Sequence, residues 1–306
     1  MNWFLIALVA PFLWAVVNII DQYLIKKYTD NNRKSTGALV LFSSLIGLFF
    51  ASLILFFAND VLDISMFDKL LLIASGVLTI CWVIFYMFAI RIEHISSVVP
   101  WFLAVPVFGY VLGYFFFGET LALSQQIGSL IIFLGVLLLS LDFSNKGHTN
   151  FKWKVGLYMI PSCFLIALIG VIFKYVTIDG NFWVSSFWEY IGLGISGVFI
   201  YLFIPSYRVA FLQMIKIGRV KIFSLNFASE VISSIGNVLT NYAILLAPVV
   251  MVFLVGSFQP AILLILTIIC TKFFPKIATE NLSQRVLIPK IVSILVIILG
   301  SMVLFI

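Results

Sequence analysis

"YMFAIRIEHISSVVPWFLAVPVFGYVLGYFFFGETLALSQQIGSLIIFLGVLLL", residues 86–139, contains two long apolar runs separated by a short connection around Gly118 and Glu119. A helix of roughly 20 apolar residues crosses the ~30 Å hydrocarbon core of a bilayer. Each of the two runs reaches that length. The stretch therefore predicts two transmembrane helices joined by a tight turn.

Similar runs recur along the whole chain. Hydrophobic residues make up 63% and charged residues 10% of the sequence, whereas soluble domains carry about 25% charged residues. A transmembrane β-barrel would show shorter segments of alternating polarity. We therefore predict an all-α integral membrane protein and expect its first span to be retained, because it lacks a basic n-region and a cleavage site. Ten spans are predicted, at residues 3–25, 37–58, 68–90, 95–117, 122–142, 154–176, 182–204, 222–246, 248–272 and 286–306.

The basic residues are unevenly distributed between the connections. Sixteen of the 18 Lys and Arg residues lie in odd-numbered connections, leaving Lys69 and Lys174 on the other side. The positive-inside rule then places the odd connections in the cytoplasm and both termini outside. Basic connections follow spans one and three in the first half but spans two and four in the second. Two inverted five-helix repeats, residues 1–145 and 150–306, would produce this pattern.

Residues 86–139 resemble the closing part of a repeat of the EamA-type family in the drug/metabolite transporter superfamily. The shared features are the Tyr-x-x-Ala end of span three, Pro100, Pro106, the Gly118-Glu119 pair and the glycine-spaced fifth span. Residues 241–266, "NYAILLAPVVMVFLVGSFQPAILLIL", look like the same block. The resemblance implies ten helices around a central solute cavity. It also implies cytoplasmic termini, opposite to the charge bias, and the second half lacks the Gly-Glu pair.

Span eight contains an unusual number of polar residues. On a helical wheel they fall within a stripe of about 120°: Asn226, Ser229, Glu230, Ser233, Asn237, Thr240 and Asn241. Buried polar side chains in lipid are costly and persist where they face other helices or a wet cavity. We expect Glu230, Asn237 and Asn241 to line a cavity, whereas the serines have interhelical hydrogen bonding as an alternative role.

Other spans carry shorter polar or aromatic stripes. These provide the remaining candidates for solute binding: Trp14, Asn18, Trp82, Tyr86, Tyr110, Glu189 and Gln259. Asp21, Lys174 and Glu230 are candidates for coupling or charge pairing. Asp21 has the alternative of a solvated helix end, and Lys174 either extends to the interface or pairs with an acid such as Glu189 or Asp21. Pro106 and Pro260 occupy equivalent positions in the two halves and are the predicted hinges.

These features favour a secondary transporter that moves a small amino-acid-like or drug-like metabolite across the plasma (inner) membrane by alternating access. Solute would stack on Trp82 and Tyr86. An exchanger of phosphorylated sugars or nucleotide-sugars is an alternative that needs cations in the cavity, and a non-transporting scaffold is another. We expect no enzymatic activity, cofactor, metal or nucleic-acid partner, because no catalytic or metal-binding motif is present and His94 and His148 are far apart in sequence.

Overall fold

The computed structural model describes residues 2–28, 33–58, 60–93, 95–140, 153–278 and 282–304. These residues form helices and turns, and none of them forms a strand. The helices are α1 (Asn2–Tyr28), α2 (Arg33–Ile54), α3 (Met66–Ile92), α4 (Ile95–Val98), a 3-10 helix (Val99–Leu103), α5 (Ala104–Phe117), α6 (Leu123–Ser140), α7 (Trp153–Thr177), α8 (Phe182–Phe203), α9 (Pro205–Leu246), α10 (Val249–Gly256), α11 (Gln259–Phe273) and α12 (Gln284–Leu304).

Local sequence signals set several helix ends. The Ser65 hydroxyl accepts a hydrogen bond from the Asp68 amide, 3.0 Å away, and so caps α3. Asn181 caps α8 by accepting from the Trp183 amide at 2.9 Å. Gly118 ends α5 with a φ of 64°, a conformation that glycine adopts without a steric penalty. This turn directs Glu119 back toward the bundle.

Eight helices are long and apolar enough to cross a membrane within the described part of the chain. They coincide with predicted spans one to four and six to nine, and many of their large apolar side chains face outward. Shorter apolar helices, Leu123–Gly135 and Leu287–Gly300, lie at predicted spans five and ten. The protein is therefore an all-α integral membrane protein, as predicted.

One predicted connection is wrong. Residues 205–221 were expected to be a polar loop, but they are helical and continuous with span eight, so that α9 is 42 residues long. The polar side chains of this segment lower its hydropathy, yet it contains no proline or glycine in a position that ends the helix. Its only proline, Pro205, occupies the first turn, where proline is tolerated.

The helices pack in pairs that obey a simple exchange rule. Predicted spans one to five correspond to α1, α2, α3, α4 to α5, and α6, and spans six to ten correspond to α7, α8, α9, α10 to α11, and α12. If each span is exchanged with the span five positions away, the packed pair α1–α9 becomes α7–α3, which is also a packed pair. The packed pair α2–α9 likewise becomes α8–α3. The pair α5–α7 likewise becomes the packing of α1 on α10 and α11, while α2–α8 and α6–α12 map onto themselves. The packing around the bundle centre is thus symmetric in its helix pairing.

Helices α3 and α8 approach each other closely at two glycines. A Cβ on Gly76 would overlap the carbonyl oxygen of Glu189, and a Cβ on Gly192 would overlap that of Ile73. Small residues at such contacts allow helix backbones to pack tightly in membranes. The contact places the side chain of Glu189 next to Ser75 of α3.

Candidate functional site

A cavity of about 220 Å³ lies at the centre of the bundle. Its walls come from α1, α2, α3, the 3-10 helix, α5 and α7 to α11. Span two provides Ser43 and Ile46, although the sequence analysis proposed no residue of that span.

Most of the predicted solute-binding residues meet at this cavity. The lining includes Trp14, Asn18, Asp21, Trp82, Tyr86, Glu189, Glu230, Asn237, Asn241 and Gln259. Tyr110 is not part of the lining and packs instead against an apolar cluster that contains Leu103 and Met251. Its placement gives no support to a role in solute binding.

The polar stripe of α9 faces the cavity along most of its length. Glu230, Ser233, Asn237, Thr240 and Asn241 line the cavity together with Ser234, which was not part of the predicted stripe. The remaining two stripe residues, Asn226 and Ser229, are buried outside the lining. The Ser229 hydroxyl donates to Asp21 Oδ1 at 3.4 Å, so this serine does connect two helices.

Two carboxylates, Asp21 of α1 and Glu230 of α9, face the same part of the cavity. Glu230 Oε1 accepts a hydrogen bond from the hydroxyl of Ser43 on α2. Asp21 and Glu230 interact electrostatically, and each accepts a serine hydroxyl through one of its oxygens. The pair therefore gathers two acidic side chains where α1, α2 and α9 meet.

A third carboxylate, Glu189, is held by neutral donors on two other helices. Ser75 of α3 donates to Glu189 Oε1 at 3.2 Å, and Asn241 of α9 donates to Oε2 at 3.2 Å. Both oxygens therefore have a partner already. This network fixes the Glu189 side chain and connects α3, α8 and α9.

Aromatic rings form one wall of the cavity. The centroids of Trp82 and Tyr86 are 6.1 Å apart, and the ring of Phe102 lies 5.7 Å from Tyr86 and 6.3 Å from Trp82. The Tyr86 hydroxyl donates to Asn18 Oδ1 at 2.7 Å. These contacts hold the three aromatic rings beside the polar side chains of α1.

Among the described residues of the lining, two fully buried polar atoms have no hydrogen-bond partner. They are Asn18 Nδ2 and Ser186 Oγ, which belong to side chains that are 5% and 2% exposed. An unpaired buried donor costs about 1–3 kcal/mol. A solute or water in the cavity would remove that cost.

Lys174 has a partner that the sequence analysis did not identify. It pairs with neither Glu189 nor Asp21, because its Nζ lies 2.6 Å from Glu119 Oε1 and 2.9 Å from the carbonyl oxygen of Ala247. Glu119 Oε2 also accepts the amide of Val249 at 2.8 Å. This ion pair lies outside the cavity lining.

The two predicted hinge prolines adjoin the cavity without lining it. Pro106 lies in the first turn of α5, directly after the 3-10 helix, and Pro260 lies in the first turn of α11, after the break that follows α10. Predicted spans four and nine are therefore both interrupted next to these prolines. Gln259, the neighbour of Pro260, reaches the cavity.

Ser43, Ser186 and Ser234 are among the polar lining residues that the sequence analysis missed. Ser43 stands beside Ser44 in an apolar helix, and the sequence gives no reason to prefer one of the two. Ser186 likewise lies beside another serine, Ser185. It lies three residues before Glu189, however, so the helical spacing was an available signal.

Comparison with known proteins agrees with this architecture. Residues 1–141 match the EamA-like transporter family, which belongs to the drug/metabolite transporter superfamily. A chain described only as the crystal structure of a protein aligns with a TM-score of 0.66 and 15% identity over 99% of this chain and 95% of that one. At that identity the likeness shows the fold alone. No curated protein matches the sequence.

The family match confirms the resemblance seen in residues 86–139, and the family comprises membrane transporters of small solutes. Residues 1–141 therefore carry the signature of the EamA-like transporter family, within the drug/metabolite transporter superfamily.

Proposed function

We propose that this protein is a secondary transporter that carries a small organic metabolite by alternating access, with one binding site in the central cavity. The observation that carries the proposal is the composition of that cavity. Side chains from both predicted halves converge there, among them Asp21 and Trp82 from the first and Glu189, Glu230 and Asn241 from the second. A site shared by two halves becomes accessible from opposite sides when the halves rock against each other.

The exchange rule of helix packing supports two inverted halves, residues 1–145 and 150–306. Equivalent pairs such as α1–α9 and α3–α7 are expected when a two-fold axis in the membrane plane relates the halves. The breaks before Pro106 and Pro260 occupy equivalent places in this scheme. We propose these breaks as the points about which the halves rock.

The cavity does not favour phosphorylated solutes. Among the described residues that line it, none is Lys, Arg or His, whereas binding of phosphate relies on cationic side chains. Lys174, the predicted candidate, is already paired with Glu119. A scaffold is also disfavoured, because a scaffold has no need to gather three carboxylates around one cavity at the cost of their desolvation.

Transport in proteoliposomes tests the proposal. A thermal-shift screen of the purified protein against a metabolite panel first identifies a stabilising solute, and counterflow of that solute is then measured. Glu230→Gln and Asn237→Ala should each lower the uptake rate about tenfold, equivalent to about 1.4 kcal/mol of barrier.

Two matched controls accompany these variants. Asp179→Asn neutralises an exposed acid in the connection after α7, and Ile235→Ala shortens an outward-facing side chain of α9. Both should transport as the unaltered protein does. Full transport by Glu230→Gln and Asn237→Ala would refute the proposed site. We also propose a plasma (inner) membrane location, which membrane fractionation tests.

A further inference from the structure

We infer that the transported solute is an organic ammonium compound of net positive charge that carries an uncharged hydrogen-bond acceptor. This inference rests on the proposed transport function and specifies the chemistry of its site. Asp21 and Glu230 bind the cationic group beside the aromatic wall of Trp82, Tyr86 and Phe102. Asn18 and Ser186 donate to the acceptor.

The charge of the lining is the first argument. The cavity contains three carboxylates, and the described lining residues include no Lys, Arg or His. Burial of charge is costly unless an opposite charge pairs with it. Because the described lining residues supply no cation, a positively charged solute provides the missing partner. An anion would meet repulsion from every carboxylate in the cavity.

Hydrogen bonding identifies which carboxylates bind the cationic group. Both oxygens of Glu189 accept from Ser75 and Asn241, so Glu189 adds negative potential but is held in place. Glu230 accepts a serine hydroxyl through one oxygen, whereas Asp21 accepts the Ser229 hydroxyl and also hydrogen-bonds with Tyr86. Since these two carboxylates also interact electrostatically with each other, a cation bound by both relieves their repulsion.

The aromatic wall fits the same group. The rings of Trp82, Tyr86 and Phe102 lie within 6.3 Å of one another, and all three line the cavity. Aromatic faces attract ammonium groups through the ring quadrupole, and such cages recognise alkylated ammonium ions in particular. Tyr86 also interacts with Asp21, so the ring wall adjoins the carboxylate pair.

The unpartnered donors indicate a second feature of the solute. Asn18 lies three residues before Asp21 on α1, and Ser186 lies three residues before Glu189 on α8, so each helix places a donor next to a carboxylate. Asn18 Nδ2 and Ser186 Oγ have no partner among the residues that the structure describes. A hydroxyl, ether or carbonyl oxygen on the ammonium compound would accept from them.

Binding of matched solutes to the purified full-length protein tests this inference. The set contains choline, its uncharged carbon isostere 3,3-dimethylbutan-1-ol and zwitterionic betaine. It also contains the larger tyramine, whose phenol oxygen can accept a hydrogen bond, with neutral tyrosol, zwitterionic tyrosine and anionic 3-(4-hydroxyphenyl)propanoate. At least one of the two ammonium compounds, choline or tyramine, should bind about tenfold more tightly than every other compound of its own series, measured by thermal shift and by uptake into proteoliposomes.

The tighter binding of the ammonium compound should be lost in Asp21→Asn and in Glu230→Gln, and kept in Asp179→Asn. If Asp21→Asn does not yield a monodisperse protein by size-exclusion chromatography, Glu230→Gln and the conservative Asp21→Glu provide the comparison. Equal or tighter binding of the uncharged, zwitterionic or anionic compounds overturns the inference. Binding of neither ammonium compound also overturns it. Transport of a neutral or zwitterionic metabolite in that case leaves the proposed function standing. Absence of transport for every metabolite tested would overturn both this inference and the proposed function.

Discussion

Lys174 Nζ and Glu119 Oε1 lie 2.6 Å apart, with side chains that are only 8% and 11% exposed. Glu119 follows α5 in the first predicted half, whereas Lys174 belongs to α7 in the second. The lysine also donates to the Ala247 carbonyl oxygen and lies 5.3 Å from the centre of the Phe117 ring. The pair therefore fastens α5, α7 and the start of α10 together at one end of the bundle.

Loss of one partner of this pair should destabilise the protein strongly. Removal of a single member of a buried ion pair leaves an uncompensated charge and costs about 3–5 kcal/mol. Lys174→Met and Glu119→Gln should therefore each lower the apparent Tm in detergent. The double variant Lys174→Met/Glu119→Gln should recover a large part of the loss, because no unpaired charge remains. Additive losses in this double-mutant cycle would contradict the coupling.

Ser43→Ala tests the hydrogen bond that joins α2 to Glu230. Hydrogen bonds to charged groups contribute about 1.5–3 kcal/mol, and we expect the lower end because Glu230 faces the cavity. The variant should lose thermal stability and bind its solute more weakly. Ser44→Ala is the matched control, since the Ser44 hydroxyl donates only to Val40 and Leu41 carbonyl oxygens of its own helix. Equal effects of the two variants would show that the Ser43 contact is unimportant.

The residues that were predicted correctly depend on local sequence, whereas those that were missed depend on partners far away in the sequence. The stripe of α9 was predictable because residues three and four apart share one face of a helix, so Glu230 and Asn237 required only local information. Ser43 was not predictable, because its partner lies 187 residues away. The same applies to Lys174, whose partner depends on where α5 ends and how Gly118 turns the chain. Low hydropathy alone was a poor indicator of a helix end in residues 205–221.

Gly76→Ala and Gly192→Ala test the close contact of α3 and α8. An added Cβ at either position overlaps backbone of the opposite helix, and overpacking of this kind costs about 1–3 kcal/mol. Both variants should lower the Tm, and Gly76→Ala should also weaken solute binding because it displaces the backbone of Glu189. Gly256→Ala is the control for stability, since a Cβ there meets nothing within 4 Å. A destabilised Gly256→Ala with intact Gly76→Ala would contradict this account.

Tyr86→Phe tests the contribution of the Tyr86 hydroxyl separately from that of its ring. The variant keeps the contacts with Trp82 and Phe102 but removes the 2.7 Å hydrogen bond to Asn18. Loss of a buried partner costs about 1–3 kcal/mol, and Asn18 would then be free to move away from the cavity wall. We expect weaker solute binding with little change in expression. Tyr175→Phe, at a tyrosine that is 50% exposed, should bind as before, and identical affinities for the two variants would show that the Tyr86 hydroxyl has no part in solute binding.

The prolines provide the test of rocking itself. Pro106 and Pro260 lie in the first turns of α5 and α11, where the missing N–H would have had no partner within the helix. Pro106→Ala and Pro260→Ala should therefore change stability by less than about 1 kcal/mol, mainly through the unfolded chain. If the adjacent breaks act as hinges, the alanine variants should transport about tenfold more slowly, a barrier increase of about 1.4 kcal/mol, while solute affinity stays the same. Pro289→Ala, in α12 away from the cavity, should leave both quantities unchanged. Transport at the normal rate by both hinge variants would show that the halves move about other points.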